Sequence, residues 1–152
     1  MPTQEDDLTE EVTPNRATRR AAKKAGPQRA SASLLLNKKP REREISLNLP
    51  TDGDGTEAAT FLFRSIGAKE WELMVSKHKP TSDQRADGQP FNTDTFPPAL
   101  LARVCVDPVI TEDEWREIWG SPDWSRGELG DLYAAAVNIC TDGFDIPFNA
   151  SA

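Results

Sequence analysis

The stretch FNTDTFPPALLARVCVDP, Phe91 to Pro108, sets Pro97 and Pro98 directly against an apolar run with helical spacing. Proline in a helix interior costs ~3 kcal/mol, because it deletes a hydrogen bond and collides with the preceding turn. The conflict disappears if Asp94 or Thr95 is the N-cap. Both prolines then fall in the first turn, where amides have no intrahelical partner and a fixed φ suits the backbone. The spacing predicts a helix to about Val106, with Phe96, Leu100, Leu101, Val104 and Cys105 on one apolar stripe and Pro108 limiting it.

The segments on either side carry their own start signals. Thr111-Glu112-Asp113-Glu114 matches a capping box, in which threonine and glutamate each satisfy a free amide of the first turn. Trp115, Ile118 and Trp119 follow as the apolar side, and Gly120 and Pro122 end the run. Ser125-Arg126-Gly127-Glu128 is a second box. It opens a helix to about Cys140 with Leu129, Leu132, Tyr133, Ala136, Val137 and Cys140 facing inward. Upstream, AKEWELMVSKH (Ala68–His78) places Trp71, Met74, Val75 and His78 at helical spacing before Pro80. TSDQRADGQPFN, Thr81 to Asn92, reads as a polar loop.

Strand patterns precede these helices. EISLNL, Glu44 to Leu49, alternates with period two, and TFLFRSI, Thr60 to Ile66, is rich in residues that favour strands. TDGDG between them reads as a turn, so the two form a hairpin. A hairpin alone is marginal in water and must pack on the helices. The expected fold is therefore mainly α (α+β): a short N-terminal β-hairpin packed on about four helices. The expected organisation is an arm over residues 1–43, a domain over 44–145 and a frayed end over 146–152.

Charge divides the arm. Among the first thirteen residues Glu5, Asp6, Asp7, Glu10 and Glu11 meet no base. From Pro14 to Arg43 ten lysines and arginines meet only Glu42. So much charge and so little apolar surface leave little burial to offset the entropy of ordering, and the arm is expected to be disordered. Arg16 to Ala25 favours a basic helix, and Leu34, Leu35 and Leu36 are the arm's one greasy spot. The bases offer salt-dependent phosphate contacts. No aromatic residues interleave with them for base stacking, and acidic flanks compete for the same charges, so nucleic-acid binding is the weaker reading.

Chemistry finds little footing. His78 is the sole histidine, placed at a helix end where its charge suits the dipole. Cys105 and Cys140 sit in apolar runs and read as buried thiols rather than a disulfide. Zinc spacing is absent, and Asp52 to Gly55 lacks the later ligands of a calcium loop. No catalytic, cofactor or metal residue is assigned, and the expectation is a protein that is not an enzyme. No apolar run approaches the ~20 residues of a bilayer span, and the first residues lack the apolar core of a secretory signal. A soluble cytosolic protein is expected.

Taken together, FLFRSIGAKEWELMVSKHKPT, then FNTDTFPPALLARVCVDPVITEDEWREIW, then GELGDLYAAAVNIC, resemble the tail assembly chaperones of long-tailed phages that infect actinobacteria. The resemblance covers Thr60 to Asp145. It rests on the order of the aromatic strand, Trp71, His78 with Pro80, the Asn92/Phe96/Pro97 segment, the capped Trp115 helix and the alanine-rich last helix. Where the family often has two prolines after the histidine, Lys79 intervenes here. The resemblance implies a protein that coats the tape measure protein in the host bacterial cytoplasm while the tail tube forms. It also implies departure before the virion is complete, contact with the tail tube protein, and a longer frameshifted form of the same chain. A groove built by Phe96, Leu100, Leu101, Trp115 and Trp119 is the expected contact with the partner's apolar helices. Two other classes stand beside it: a structural tail or head-completion protein retained in the virion, and a nucleic-acid-associated protein using the basic arm.

Overall fold

The computed structural model describes residues 29–144. The chain divides into two compact units, Met1–Lys38 and Lys39–Ala152. In the described part of the first, Ala32–Leu36 closes a short helix, α1, whose N-cap Ser31 accepts a hydrogen bond from the Leu34 N–H. Leu34, Leu35 and Leu36 are all exposed on it. The basic run from Arg16 to Ala25 and the end over 146–152 lie outside the described residues.

The second unit is α+β. The hairpin is β1 (Glu42–Pro50) and β2 (Thr56–Arg64), paired antiparallel with Ile45 opposite Phe61 and Leu47 opposite Ala59. Odd-numbered residues of β1 face the helices and even-numbered ones face solvent, as the alternation predicts. The strand starts at Glu42, two residues ahead of the Glu44 start, because Glu42 pairs across the outer face with Arg64 at 2.6 Å. Thr51 to Gly55 close the turn, with the Thr51 N–H donating to Gly55 O and Gly53 at φ 96°.

Five helices follow. α2 (Ala68–Lys77) and the single turn α3 (Ser82–Ala86) lead to α4 (Phe96–Val104), and then come α5 (Glu112–Trp119) and α6 (Arg126–Thr141). α3 falls inside the segment read as a loop. Its signal was present: Thr81 and Gln84 form a capping box with both hydrogen bonds made.

α4 is the hub. It packs against α2, α5, α6 and the strand that follows it. Phe96, Pro97, Pro98, Ala99, Leu100, Leu101 and Val104 are all buried. Thr95 is its N-cap and Pro97 and Pro98 lie in the first turn, as the sequence requires. Thr95 makes no side-chain cap bond; instead Asn92 Oδ1 accepts from the N–H groups of Asp94 and Thr95.

α4 stops at Val104, two residues short of the expected end. Cys105–Asp107 becomes β3, which joins β2 through Phe63 opposite Cys105 and Leu62 opposite Asp107, giving the sheet order β1-β2-β3. Pro108 forces the residue before it away from helix, and β-branched Val106 prefers the extended state. The core gathers α4 with Phe63, Cys105, Trp115, Leu132, Ala136 and Ile139. Cys105 and Cys140 are free thiols, and burial pushes both above the ordinary cysteine range. No helix among the described residues is long and apolar enough to cross a membrane.

Candidate partner-binding site

The five residues expected to line a groove separate into two groups. Phe96, Leu100 and Leu101 have no exposed surface and Trp115 is 1% exposed. All four are sealed in the core among α2, α4, α5 and α6, so they hold the fold together and present no surface to a partner. Trp115 is sealed so fully that its Nε1–H finds no hydrogen-bond partner among the described residues. Trp119, at the end of α5, stays half-buried.

Trp119 opens instead onto a hollow of about 540 Å³ between the end of α5, the start of α6 and the loop before α4. Its aromatic walls are Trp119, Trp124 and Tyr133. Local chemistry fixes each wall. The Thr111 and Glu114 box starts α5, and Gly120 ends it with its N–H on Arg116 O. Ser121 then tightens the turn, its Oγ accepting from the Asp123 N–H and its carbonyl from the Trp124 N–H. Ser125 caps α6 through Glu128 N–H, while Glu128 Oε1 accepts from Ser125 N–H at 2.7 Å.

This cap positions Trp124. It stands one residue before the N-cap, and Leu129 stands at the fourth helical position, the two places of a hydrophobic staple; both line the hollow. Trp119 meets Tyr133 edge-on at 6.2 Å, and Phe96 meets Tyr133 at 6.4 Å. The aromatic wall is therefore continuous with the core. Burial pushes the Tyr133 phenol up to about 12, so it stays neutral at physiological pH. Gly130 lies on the floor, where an added Cβ would meet nothing within 4 Å. Asp94 and Arg126 supply one charge of each sign at the rim.

Trp124 also borders a smaller recess of mixed character, with Leu47, Asn48, Leu49, Glu128 and Asp131. One indole thus joins the inner face of β1 to the mouth of the hollow. The surface so formed carries aromatic and leucine side chains among polar ones, with Glu128 and Asp131 at one margin. Such a surface accepts bulky side chains from an amphipathic segment.

His78 is elsewhere in the fold. It caps the C-terminus of α2, with its ring Nδ1 2.9 Å from Thr95 Oγ1 and its ring edge-on to Phe96. Its carbonyl accepts from the Asn92 N–H at 2.7 Å, so the histidine ties α2 to the entry of α4. No group of three or more His, Cys, Asp or Glu arranged to hold a metal occurs among the described residues.

Of the three walls, Trp119 belongs to the expected groove, Trp124 is open in the sequence to either core or contact, as the other tryptophans are, and Tyr133 is expected on the buried side of its helix. For Trp124 a signal existed, since a large apolar residue directly before a capping box, with leucine five positions on, is the staple pattern. For Tyr133 none did: its position on the inward face of α6 is the same as that of Leu132 and Ala136, and only the arrangement of α5 decides that it meets open space. Comparison with known proteins finds no family model, no curated protein and no solved structure that matches this chain.

Proposed function

We propose that this protein is an assembly chaperone for a phage tail, which binds the tape measure protein reversibly and keeps it soluble while the tail tube forms. One observation carries the reading on the structural side: Trp119, Trp124 and Tyr133, three of the largest apolar side chains of the chain, stand around an open hollow and not inside the core. Aromatic side chains of this kind anchor protein contacts, because each covers much area for few rotatable bonds. A tape measure protein is long and helical, and its apolar stripes need cover until tube subunits replace it. The family resemblance of Thr60 to Asp145 supplies the identity of the client. The hollow supplies a place for its side chains.

The test is co-expression with the tape measure protein of the same phage. The wild-type chain is expected to co-purify with it and keep it in the soluble fraction. Gly130→Leu, which fills the floor, and Trp124→Ser, which removes a wall, are each expected to lower recovery of the complex at least about tenfold, the loss of one anchor contact. Unchanged recovery with both variants folded overturns the hollow as the contact. Mass spectrometry of purified virions completes the test: a chaperone is expected to be missing, and stoichiometric presence assigns the chain to the structural proteins of the particle.

A further inference from the structure

The hollow accounts for the helical side of the second unit and leaves the sheet unexplained. The outer strand, β1, is nine residues long and, among the described residues, has a neighbouring strand on one side only. Two hydrogen bonds set the phase of its backbone. The Ser65 N–H donates to Arg41 O at 2.9 Å, and the Thr51 N–H donates to Gly55 O at 3.0 Å. In an antiparallel pair the bonded positions alternate. Arg41, Arg43, Ile45, Leu47, Leu49 and Thr51 therefore turn their peptide groups toward β2, and Glu42, Glu44, Ser46 and Asn48 turn theirs outward. No hydrogen bond among the described residues reaches the outward groups of Glu44, Ser46 or Asn48. Pro50 fits the same phase, since its missing N–H falls on the outward side, where an edge strand tolerates proline.

An open row of donors and acceptors is a template for another strand. The residues along it say which strand fits. We propose that two copies of this chain pair β1 to β1 antiparallel about a two-fold axis at Ser46, making one continuous six-stranded sheet.

That register uses the whole strand from Glu42 to Pro50. It sets Ser46 against Ser46 and Glu44 against Asn48 as two-way bonded pairs. On the inner face it sets Ile45 across from Leu47 and Arg43 across from Leu49. No like charges stand opposite one another. Sliding the axis two residues toward the N-terminus sets Glu44 against Glu44, which repels directly across the pair. Sliding it two residues the other way leaves Asn48 against itself and removes four residues of each strand, Glu42 to Ile45, from the pairing. Axes at Ile45 or Leu47 keep the same bonding phase without opposing like charges, but each leaves two residues of each strand unpaired; the centred register is the one that pairs all nine. The contact is an edge and not a face, so it belongs with the small, weak interfaces. The pairing uses none of the side chains that wall the hollow, and it stands or falls apart from the tape measure reading.

The experiment is light scattering of the full chain across a dilution series from about 1 to about 500 μM, the range that small interfaces occupy. Mass is expected to rise toward twice the monomer value. Ser46→Pro removes an outward N–H that β2 does not use, so the monomer keeps its circular dichroism and melting temperature. Both copies lose one bond, and self-association is expected to weaken roughly 30-fold. A monomer at every concentration overturns the proposal, and so does a dimer that Ser46→Pro leaves intact. If that variant does not fold, Ser46→Cys decides the matter under mild oxidant. The paired register brings the two thiols together and yields a covalent dimer, while Asn48→Cys, which faces Glu44 of the other copy, yields little. Equal cross-linking at both positions, or none at Ser46→Cys, overturns the register.

Discussion

Leu100 in α4 has no exposed surface, whereas Trp119, at the end of α5, and Trp124, in the loop after it, stand half-open around a hollow of about 540 Å³. Both regions are rich in large apolar side chains, and both begin with a well-defined helix start. What separates them is the number of neighbours. α4 packs against α2, α5 and α6, so its apolar residues are core and only Ala102 and Arg103 keep exposed surface. The α5–α6 junction has structure on one side, so its aromatics are supported from below and open above. Apolar density in a sequence therefore marks packing surface without saying whether the chain packs on itself.

The sharpest way to break that contrast is to truncate one residue on each side of it. Leu100→Ala is expected to destabilise the fold by about 3 kcal/mol, within the usual range for emptying a sealed leucine site. Trp124→Ser removes a larger side chain but leaves less of a void, because one side of the indole already faces open space. Its expected cost is about 1 kcal/mol, the ordinary figure for a partly exposed position. Urea unfolding of the two variants checks the ordering. Equal losses would mean that Trp124 is as much a part of the core as Leu100, and the hollow would lose its standing as a site.

A smaller effect concerns what holds the open side in shape. Ser125→Ala deletes the N-cap of α6 and is expected to cost about 1 kcal/mol. Trp124 directly precedes this cap, so its fluorescence is expected to change along with the melting temperature. Thr111→Ala removes the matching cap of α5 with a similar loss and serves as the control, since Ile110 before it packs against the core. Acid weakens both caps. Backbone N–H and hydroxyl groups of Thr111 and Ser125 hold the Glu114 and Glu128 carboxyls below their ordinary value of 4.5. A lowered folded-state value stabilises above the unfolded one, and that contribution is lost as the pH falls through the folded value. Melting temperature is thus expected to drop as the pH falls below the ordinary glutamate value of 4.5, and less so in Glu114→Gln and Glu128→Gln.

How much of this was legible in the sequence follows from the range of each signal. The hairpin of Ile45, Leu47 and Leu49 against Phe61 and Phe63 came from local alternation, and the four longer helices from spacing and caps. The prolines of α4 were placed correctly, because the rule that confines them to a first turn acts within four residues. β3 was not legible. Pro108 and Val106 turn the chain out of helix locally, but these three residues become a strand through Phe63 and Leu62 alongside, more than forty positions earlier in the chain. Of the five residues expected to line a groove, Trp119 alone borders the hollow. Phe96, Leu100, Leu101 and Trp115 looked like a groove because nothing local tells a stripe with neighbours all round from a stripe with neighbours on one side.

The smallest expected effect runs in the stabilising direction and touches the open region alone. Gly130 lies inside α6 with no neighbour in the path of a Cβ, and its φ is not in the left-handed region. Glycine there spends backbone entropy with no steric return, so Gly130→Ala is expected to raise stability by about 0.7 kcal/mol. Thermal melts of the free protein check this. The informative comparison is with Gly130→Leu, which gains the same helix propensity and adds bulk above the floor. If the hollow is only loose packing, the larger side chain covers Trp119 and Tyr133 and stabilises further, with no penalty elsewhere. If the hollow is kept open for a partner, Gly130→Leu is as stable as Gly130→Ala and fails only in binding. A floor glycine that weakens the helix while leaving room for a side chain is then explained by the room and not by the helix.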